Sequence, residues 1–366
     1  MAAPLPRPGI LNVMPYKAGD GELPGFSRVI KLASNEGALG PSPMALERYR
    51  QLGGHLHIYA DGGAGPLRRA IADNYGLDVD RIVCSNGSDH IISMLCQAYC
   101  GPGDEVVHSA HGFMMYKIAA TTCGATPVAA PEKDLCSDVD ALLAAVTDKT
   151  KIMFVANPNN PTGTYLPASE VERLHAGLPD QVLLVIDSAY AEYVTADDYA
   201  DGHGIVEGAD NVVMTRTFSK MYALAQLRLG WAYCSKDIAD VLDRVRTPFN
   251  VNGIVQEVAI AAMADKDHLA ASLAHTTKWR QWLTDEARAM GLNVPDSIGN
   301  FILAGFPGTN GHTGPNADAY LRANGIIVRR QDPVGLTDYL RITIGTESEM
   351  RVTRDALATF MATPVE

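Results

Sequence analysis

Between about residue 43 and residue 235, short apolar runs alternate with amphipathic stretches whose apolar residues recur every three or four positions. The runs at 81–84, 105–108, 126–129, 151–155, 182–186, 212–215 and 229–233 read as strands. The stretches at 66–75, 88–99, 113–121, 137–145 and 168–176 read as helices. Strands that alternate with helices predict an α/β fold with a parallel or mostly parallel sheet.

After about residue 235 the pattern changes. Residues 238–246 and 255–264 read as helices, and a long amphipathic helix follows over about 269–290. Apolar runs at 301–304, 326–328 and 339–343 surround a helix at 317–323, and a helix near 347–362 closes the pattern. This predicts a smaller α+β domain. Residues 1–34 contain several Pro and Gly and show weak periodicity, so an extended arm is expected there, packing with the smaller domain. The expected division is 1–42 for the arm and part of the small domain, 43–240 for the large domain, and 241–366 for the small C-terminal domain.

Composition narrows the class. The chain has 366 residues, 47% hydrophobic and 20% charged, enough for a large core without disulfides and too apolar for general disorder. Its net charge of −12 argues against a nucleic-acid or anionic-membrane surface, while leaving room for a local basic pocket. The six cysteines form no CxxC pair, and His55, His57, His108 and His111 have no carboxylate or cysteine at ligand spacing, so no metal is expected. Residues 1–9 lack the apolar core of a secretion signal, and no run approaches the roughly 18 residues of a membrane span. A cytoplasmic enzyme with reduced thiols is expected.

Four local patterns carry chemistry. Asn86-Gly87-Ser88-Asp89 follows a strand and opens a helix. Gly87 permits an unusual turn, and Ser88 and Asp89 could cap the helix, or the free N–H groups could bind an anion such as phosphate. Asn157-Pro158-Asn159-Asn160-Pro161-Thr162-Gly163 forms a rigid turn at a strand's C-terminal end, where open α/β sheets bind ligands. Asp187 ends an apolar strand, with Tyr190 three residues on. It reads either as a helix cap or as a buried carboxylate in need of a cationic partner such as a protonated ring nitrogen. Thr217-Phe218-Ser219-Lys220, with Arg228 further on, offers an amine nucleophile and an anion grip. A ligand with a phosphate, a pyridine nitrogen, a phenolic oxygen and an aldehyde satisfies all four patterns at once. That ligand is pyridoxal 5′-phosphate, held covalently by a lysine. A nicotinamide cofactor is disfavoured, because Gly63-Ala64-Gly65-Pro66-Leu67-Arg68 lacks the third glycine of that fingerprint and no strand precedes it.

These segments, together with Lys31-Leu32-Ala33-Ser34-Asn35-Glu36 and Leu340-Arg341-Ile342-Thr343-Ile344-Gly345, resemble the fold-type I aminotransferases of classes I and II, most closely the histidinol-phosphate branch. The resemblance implies a large domain with a mostly parallel seven-stranded sheet between helices and a smaller α+β domain. It also implies roles. Lys220 would bind the cofactor and move a proton at the substrate's Cα. Asp187 would keep the ring nitrogen protonated, and Asn160 and Tyr190 would bond the ring's phenolic oxygen. Gly87, Ser88, Asp89, Ser219 and Arg228 would form the phosphate cup, and Phe113 would lie against the ring. Tyr59 would reach the phosphate of a neighbouring subunit, which implies a homodimer with shared active sites. Asn35, Arg341, Arg329 and Tyr16 would bind substrate, Arg341 at an α-carboxylate and Tyr16 with Arg329 at a distal phosphate.

The resemblance further implies a two-step transfer between histidinol phosphate, or an aromatic amino acid, and 2-oxoglutarate. A decarboxylase, lyase or oxidase on the same scaffold is the alternative. The chain departs from the family at Gly37-Ala38, where Asn-Pro is usual, and at His90, where Glu is common. It departs again at Ala223 and Gln226, where glycines are usual, and at Ala60 and Val334. These departures fall near the substrate side and the phosphate cup.

Overall fold

The computed structural model describes residues 4–7, 9–13 and 21–363. Its centre is a seven-stranded sheet. Across it run Ile82–Ser85, Gly230–Cys234, Val212–Thr217, Leu183–Asp187, Thr150–Ala156, Glu105–Ser109 and Thr126–Ala130. All neighbours are parallel except Gly230–Cys234, which runs antiparallel to both of its partners. Each strand coincides with an expected apolar run, with ends shifted by a residue or two.

The strands read as continuous apolar runs because helices cover both faces of the sheet. Every residue of Leu183–Asp187 is buried. One face packs Leu67, Ile71, Val171 and Leu174 against Met153, Val155 and Leu184. The other packs Ile91, Leu95, Tyr116 and Ala119 against Ile152, Phe154 and Val185.

A third core holds Trp279, Leu283, Ile302, Leu340, Ile342 and Leu357. It lies between the helices Lys266–Ala289 and Glu347–Ala362 and a three-stranded antiparallel sheet of Phe301–Gly305, Leu336–Thr343 and Arg329–Gln331. The arm joins this smaller unit. Ile30–Lys31 pairs in parallel with Ile326–Ile327, and Leu32 enters the third core.

The residue expected to end the large domain, 240, lies within the helix Lys236–Val245. The next helix, Gly253–Ala264, places Val255, Val258, Ala259 and Ala262 in a core of the large sheet. A further helix, Pro43–Gln51, begins at a capping residue: Ser42 Oγ accepts from Ala45 N at 3.1 Å, and Pro43 opens the first turn.

Candidate active site

The C-terminal ends of the parallel strands, the arm and the three-stranded sheet enclose a cavity of about 570 Å³. Ligands of open α/β sheets bind at this edge, where loops rather than helices meet the strand ends.

Asp187 is the last residue of its strand and only 4% exposed. Tyr116 donates to its Oδ2 at 2.8 Å, and Thr215 Oγ1 donates to its Oδ1 at 3.1 Å. Burial pushes the carboxyl up from its ordinary range, and these hydrogen bonds partly offset that push. The arrangement excludes the helix-cap reading. Asp187 is a buried acid lining a cavity, oriented by two hydroxyls.

Lys220 lies beyond the strand Val212–Thr217 and donates from Nζ to Ser34 O at 3.2 Å. Burial first, then the guanidinium groups of Arg341 and Arg228, bring its amine down from 10.5 to about 7. The fold sets this lysine in the cavity wall.

At one end of the cavity, the helix Ser88–Tyr99 begins at Gly87, whose φ of 93° suits glycine. A Cβ on Gly87 would sit 2.2 Å from Asp89 Oδ1 and 2.5 Å from Arg228 Nη2. A Cβ on Gly230 would sit 2.3 Å from Ser88 N. Both glycines let the helix start approach Arg228. Ser88 and Asp89 do not cap the helix with their side chains. Asp89 instead pairs with Arg228 at 2.9 Å and so meets the cavity partly through that guanidinium. Arg228 also donates to Ser219 Oγ at 3.1 Å and to Ala225 O at 3.0 Å. Ser88, Ser219 and the Asp89–Arg228 pair thus form a hydroxyl-bearing cup at a helix N-terminus.

The opposite wall comes from the arm and the smaller sheet. Asn35 donates from Nδ2 to Tyr190 Oη at 2.8 Å and accepts at Oδ1 from Thr343 at 3.1 Å. It therefore orients Tyr190 as well as lining the cavity. Arg341 donates to Asn160 Oδ1 at 2.6 Å and to Ala33 O at 2.7 Å. Arg329 and Arg341 are register partners on adjacent antiparallel strands, and both line the cavity. Phe113 lines it from the start of the segment leading into the helix Met115–Cys123.

Two expected residues stand apart. Tyr59 is 82% exposed, stacks on Phe249 with ring centroids 4.6 Å apart, and does not line this cavity. Tyr16 lies outside the described residues. Among the departures, His90 bonds Ser85 Oγ through Nδ1 at 2.7 Å, outside the main cavity, and Gln226 is exposed. Ala223 is closer to the chemistry. A Cβ on Gly37 would lie 2.7 Å from Ala223 Cβ and 3.4 Å from Lys220 O, so the missing side chain at 37 makes room for the methyl at 223.

Sequence reasoning missed Tyr116, Thr215 and the carbonyls of Ala33 and Ser34. Tyr116 had a signal, since it sits three residues after Phe113 in the stretch 113–121 that reads as a helix. The carbonyls had none, because any residue could supply them.

A buried carboxylate, a lysine brought into the neutral range and an anion cup at a strand-to-helix turn define an enzyme of amino-group chemistry. The chain belongs to the aminotransferases of classes I and II, whose family model matches residues 27–357. It is 55% identical to the histidinol-phosphate aminotransferase of Paramagnetospirillum magneticum, over 99% of each chain. The crystal structure of histidinol-phosphate aminotransferase from Sinorhizobium meliloti in complex with pyridoxal-5′-phosphate superposes with a TM-score of 0.87 at 29% identity, covering 92% of each chain. In fold alone the chain also matches L-threonine-O-3-phosphate decarboxylase from Porphyromonas gingivalis, with a TM-score of 0.80 at 21% identity over 92% of this chain and 100% of that one.

Proposed function

We propose that this aminotransferase moves an amino group between histidinol phosphate and 2-oxoglutarate by a ping-pong mechanism, with pyridoxal 5′-phosphate bound in the cavity. The pairing of Arg329 with Arg341 on adjacent strands carries the reading. Two neighbouring guanidinium groups suit substrates that alternate between a distal phosphate and a dicarboxylate. The name of the 55% identical relative supports the same substrate.

The residues fit the cofactor. A Cβ at Gly87 would fill the cup beside Arg228, where the phosphate would rest with Ser88 and Ser219. Asp187 would accept a hydrogen bond from the protonated ring nitrogen and keep it protonated, held in place by Tyr116 and Thr215. Asn160 has its carbonyl engaged by Arg341, which leaves its amide nitrogen as the group that would donate to the ring's phenolic oxygen, alongside Tyr190. Phe113 would lie against the ring. When bound, the cofactor supplies an aldehyde for the amine and a protonated ring that accepts the electron pair released at the substrate's Cα. Lys220, its amine brought down to about 7, would take the proton from the substrate's Cα and deliver it to the cofactor's C4′. Arg341 would hold the carboxylate of glutamate and Arg329 the distal group.

A homodimer belongs to this reading. The Tyr59–Phe249 stack, with exposed Leu56 and Ile58, supports a face that sends Tyr59 to a neighbour's phosphate cup. Sedimentation of the loaded protein tests the dimer, and a monomer at micromolar concentration removes it. A cytoplasmic location is part of the same proposal, and no helix among the described residues is long and apolar enough to cross a membrane.

The deciding experiment adds histidinol phosphate to the loaded enzyme without an oxo acid. Loss of the visible cofactor band, restored by 2-oxoglutarate with one glutamate formed per donor consumed, is the expected result. A need for oxygen, or bleaching that 2-oxoglutarate does not reverse, would overturn the transfer and favour a lyase or oxidase, and release of carbon dioxide from tyrosine or phenylalanine would favour a decarboxylase. Tyrosine and phenylalanine, run in parallel, test the aromatic alternative by their kcat/KM.

A further inference from the structure

His111 bonds the two sheets' territories together. It follows the strand Glu105–Ser109 of the large sheet and precedes Phe113 by two residues. Its Nδ1 lies 2.7 Å from Val334 O, in the turn that joins the strands Arg329–Gln331 and Leu336–Thr343 of the small sheet. A carbonyl only accepts, so Nδ1 carries the proton.

The backbone of His111 is pinned as well. Its N–H donates to Glu132 Oε1 at 3.1 Å, and its carbonyl accepts from Asn159 Nδ2 at 3.5 Å, next to the cavity residue Asn160. Burial holds the Glu132 carboxyl up, and its second oxygen is buried without a hydrogen-bond partner among the described residues. That is a costly arrangement for a surface loop, and it anchors the His111 backbone. A second hollow runs beneath this contact, lined by Phe113, Asn160, Arg329, Val334 and Arg341. It joins the ring-side wall to the arginine wall.

We propose that His111 is a positioning residue that sets the spacing between the ring-side wall, Phe113 and Asn160, and the guanidinium of Arg329. Through the Val334 carbonyl it fixes the turn five residues after Arg329, and thereby favours substrates that carry an anionic group distal to the reacting amine. The proposal rests on the reading of the cavity given above. It involves no bond making or breaking, and His111 touches neither cofactor nor substrate.

The test compares His111→Ala with His111→Asn in the cofactor-loaded enzyme. Asparagine keeps an N–H donor one bond beyond Cγ, as in the imidazole, while alanine removes it. In His111→Ala, the amides of Asp332, Val334, Gly335 and Leu336 are expected to exchange with solvent about 10-fold faster, the size of one lost hydrogen bond. The KM for histidinol phosphate and for glutamate is expected to rise about 10-fold, with kcat within about 2-fold, because ground and transition states lose the same contact. His111→Asn is expected to restore both. Unchanged exchange in His111→Ala overturns the proposal, as does a fall in kcat without a KM change, or an asparagine variant no better than alanine. Exchange needs no substrate. If the wild-type enzyme turned over neither donor, the functional reading would fail while the exchange result still decided the role of His111.

Discussion

Tyr116 donates its phenolic hydrogen to Asp187 Oδ2 at 2.8 Å while its ring stacks on Phe154 at 4.6 Å with an interplanar angle of 1°. The stack fixes the ring and the hydroxyl fixes the carboxylate. Tyr116→Phe keeps the stack and removes the hydrogen bond. A hydrogen bond to a charged group contributes roughly 1.5–3 kcal/mol, so cofactor affinity should fall about 10- to 100-fold with little change in melting temperature. Titration of cofactor-free protein by absorbance checks this. Unaltered affinity would show that Tyr116 is only packing.

Asp187 should trade stability for function. Its folded-state pKa lies above the ordinary 3.8, so the native state binds the proton more tightly than the unfolded chain. The stability this contributes is present at low pH and is lost as pH rises through the folded pKa. Near neutrality the buried charge therefore costs stability in cofactor-free protein. Asp187→Asn should raise the melting temperature of that form at pH 7.5 by roughly 2–4 °C, the shift that about 1 kcal/mol produces in a large domain, and should abolish turnover. A lower melting temperature would contradict the sign.

Lys220 loads the cofactor only as a free amine. With its pKa brought from 10.5 to about 7, attachment should accelerate between pH 6 and pH 8 and then level off. Stopped-flow absorbance against pH measures this, and a rate still climbing at pH 10 would place the amine in an ordinary environment. The same shift makes the unfolded chain bind more protons between pH 7 and 10.5, so cofactor-free protein should gain stability as pH rises through that window.

Gly37 and Ala223 should behave as a coupled pair. Gly37→Ala puts a Cβ 2.7 Å from Ala223 Cβ, too close without movement of the lysine-bearing turn. It should destabilise by about 1–3 kcal/mol. Ala223→Gly removes the obstructing methyl and relieves a positive φ of 54°, so it should restore stability to the double variant. Additive losses in a thermal double-mutant cycle would rule out the contact.

Much of this molecule was legible in its sequence because its signals were local. The seven strands of the large sheet are apolar runs bounded by turns, and burial on both faces leaves them little other reading. Lys220, Asp187, Asn160 and Arg228 each sit one short loop from such a strand, so order along the chain predicted convergence in space. What stayed hidden depended on distant partners. Nothing near Asp89 announces that Arg228 will claim its carboxylate. Nothing near His111 announces Val334. The apolar residues of Gly253–Ala264 would suit either core, and only packing chooses between them.

Asn35 N bonds Thr343 Oγ1 across 308 residues of chain, and the carbonyls flanking it, Ser34 and Ala33, hold Lys220 and Arg341. The arm thus closes against a strand 308 residues further along. During synthesis the large sheet and its lysine can fold on the emerging chain, but the arm has nothing to dock on until the residues around 343 appear. A product cut short before that strand would carry the lysine and the acid yet lack the wall that encloses them. The wall around Lys220 therefore needs residues 33–35 and residues 341–343 together, and loss of either segment opens the cavity on the side of the reactive amine.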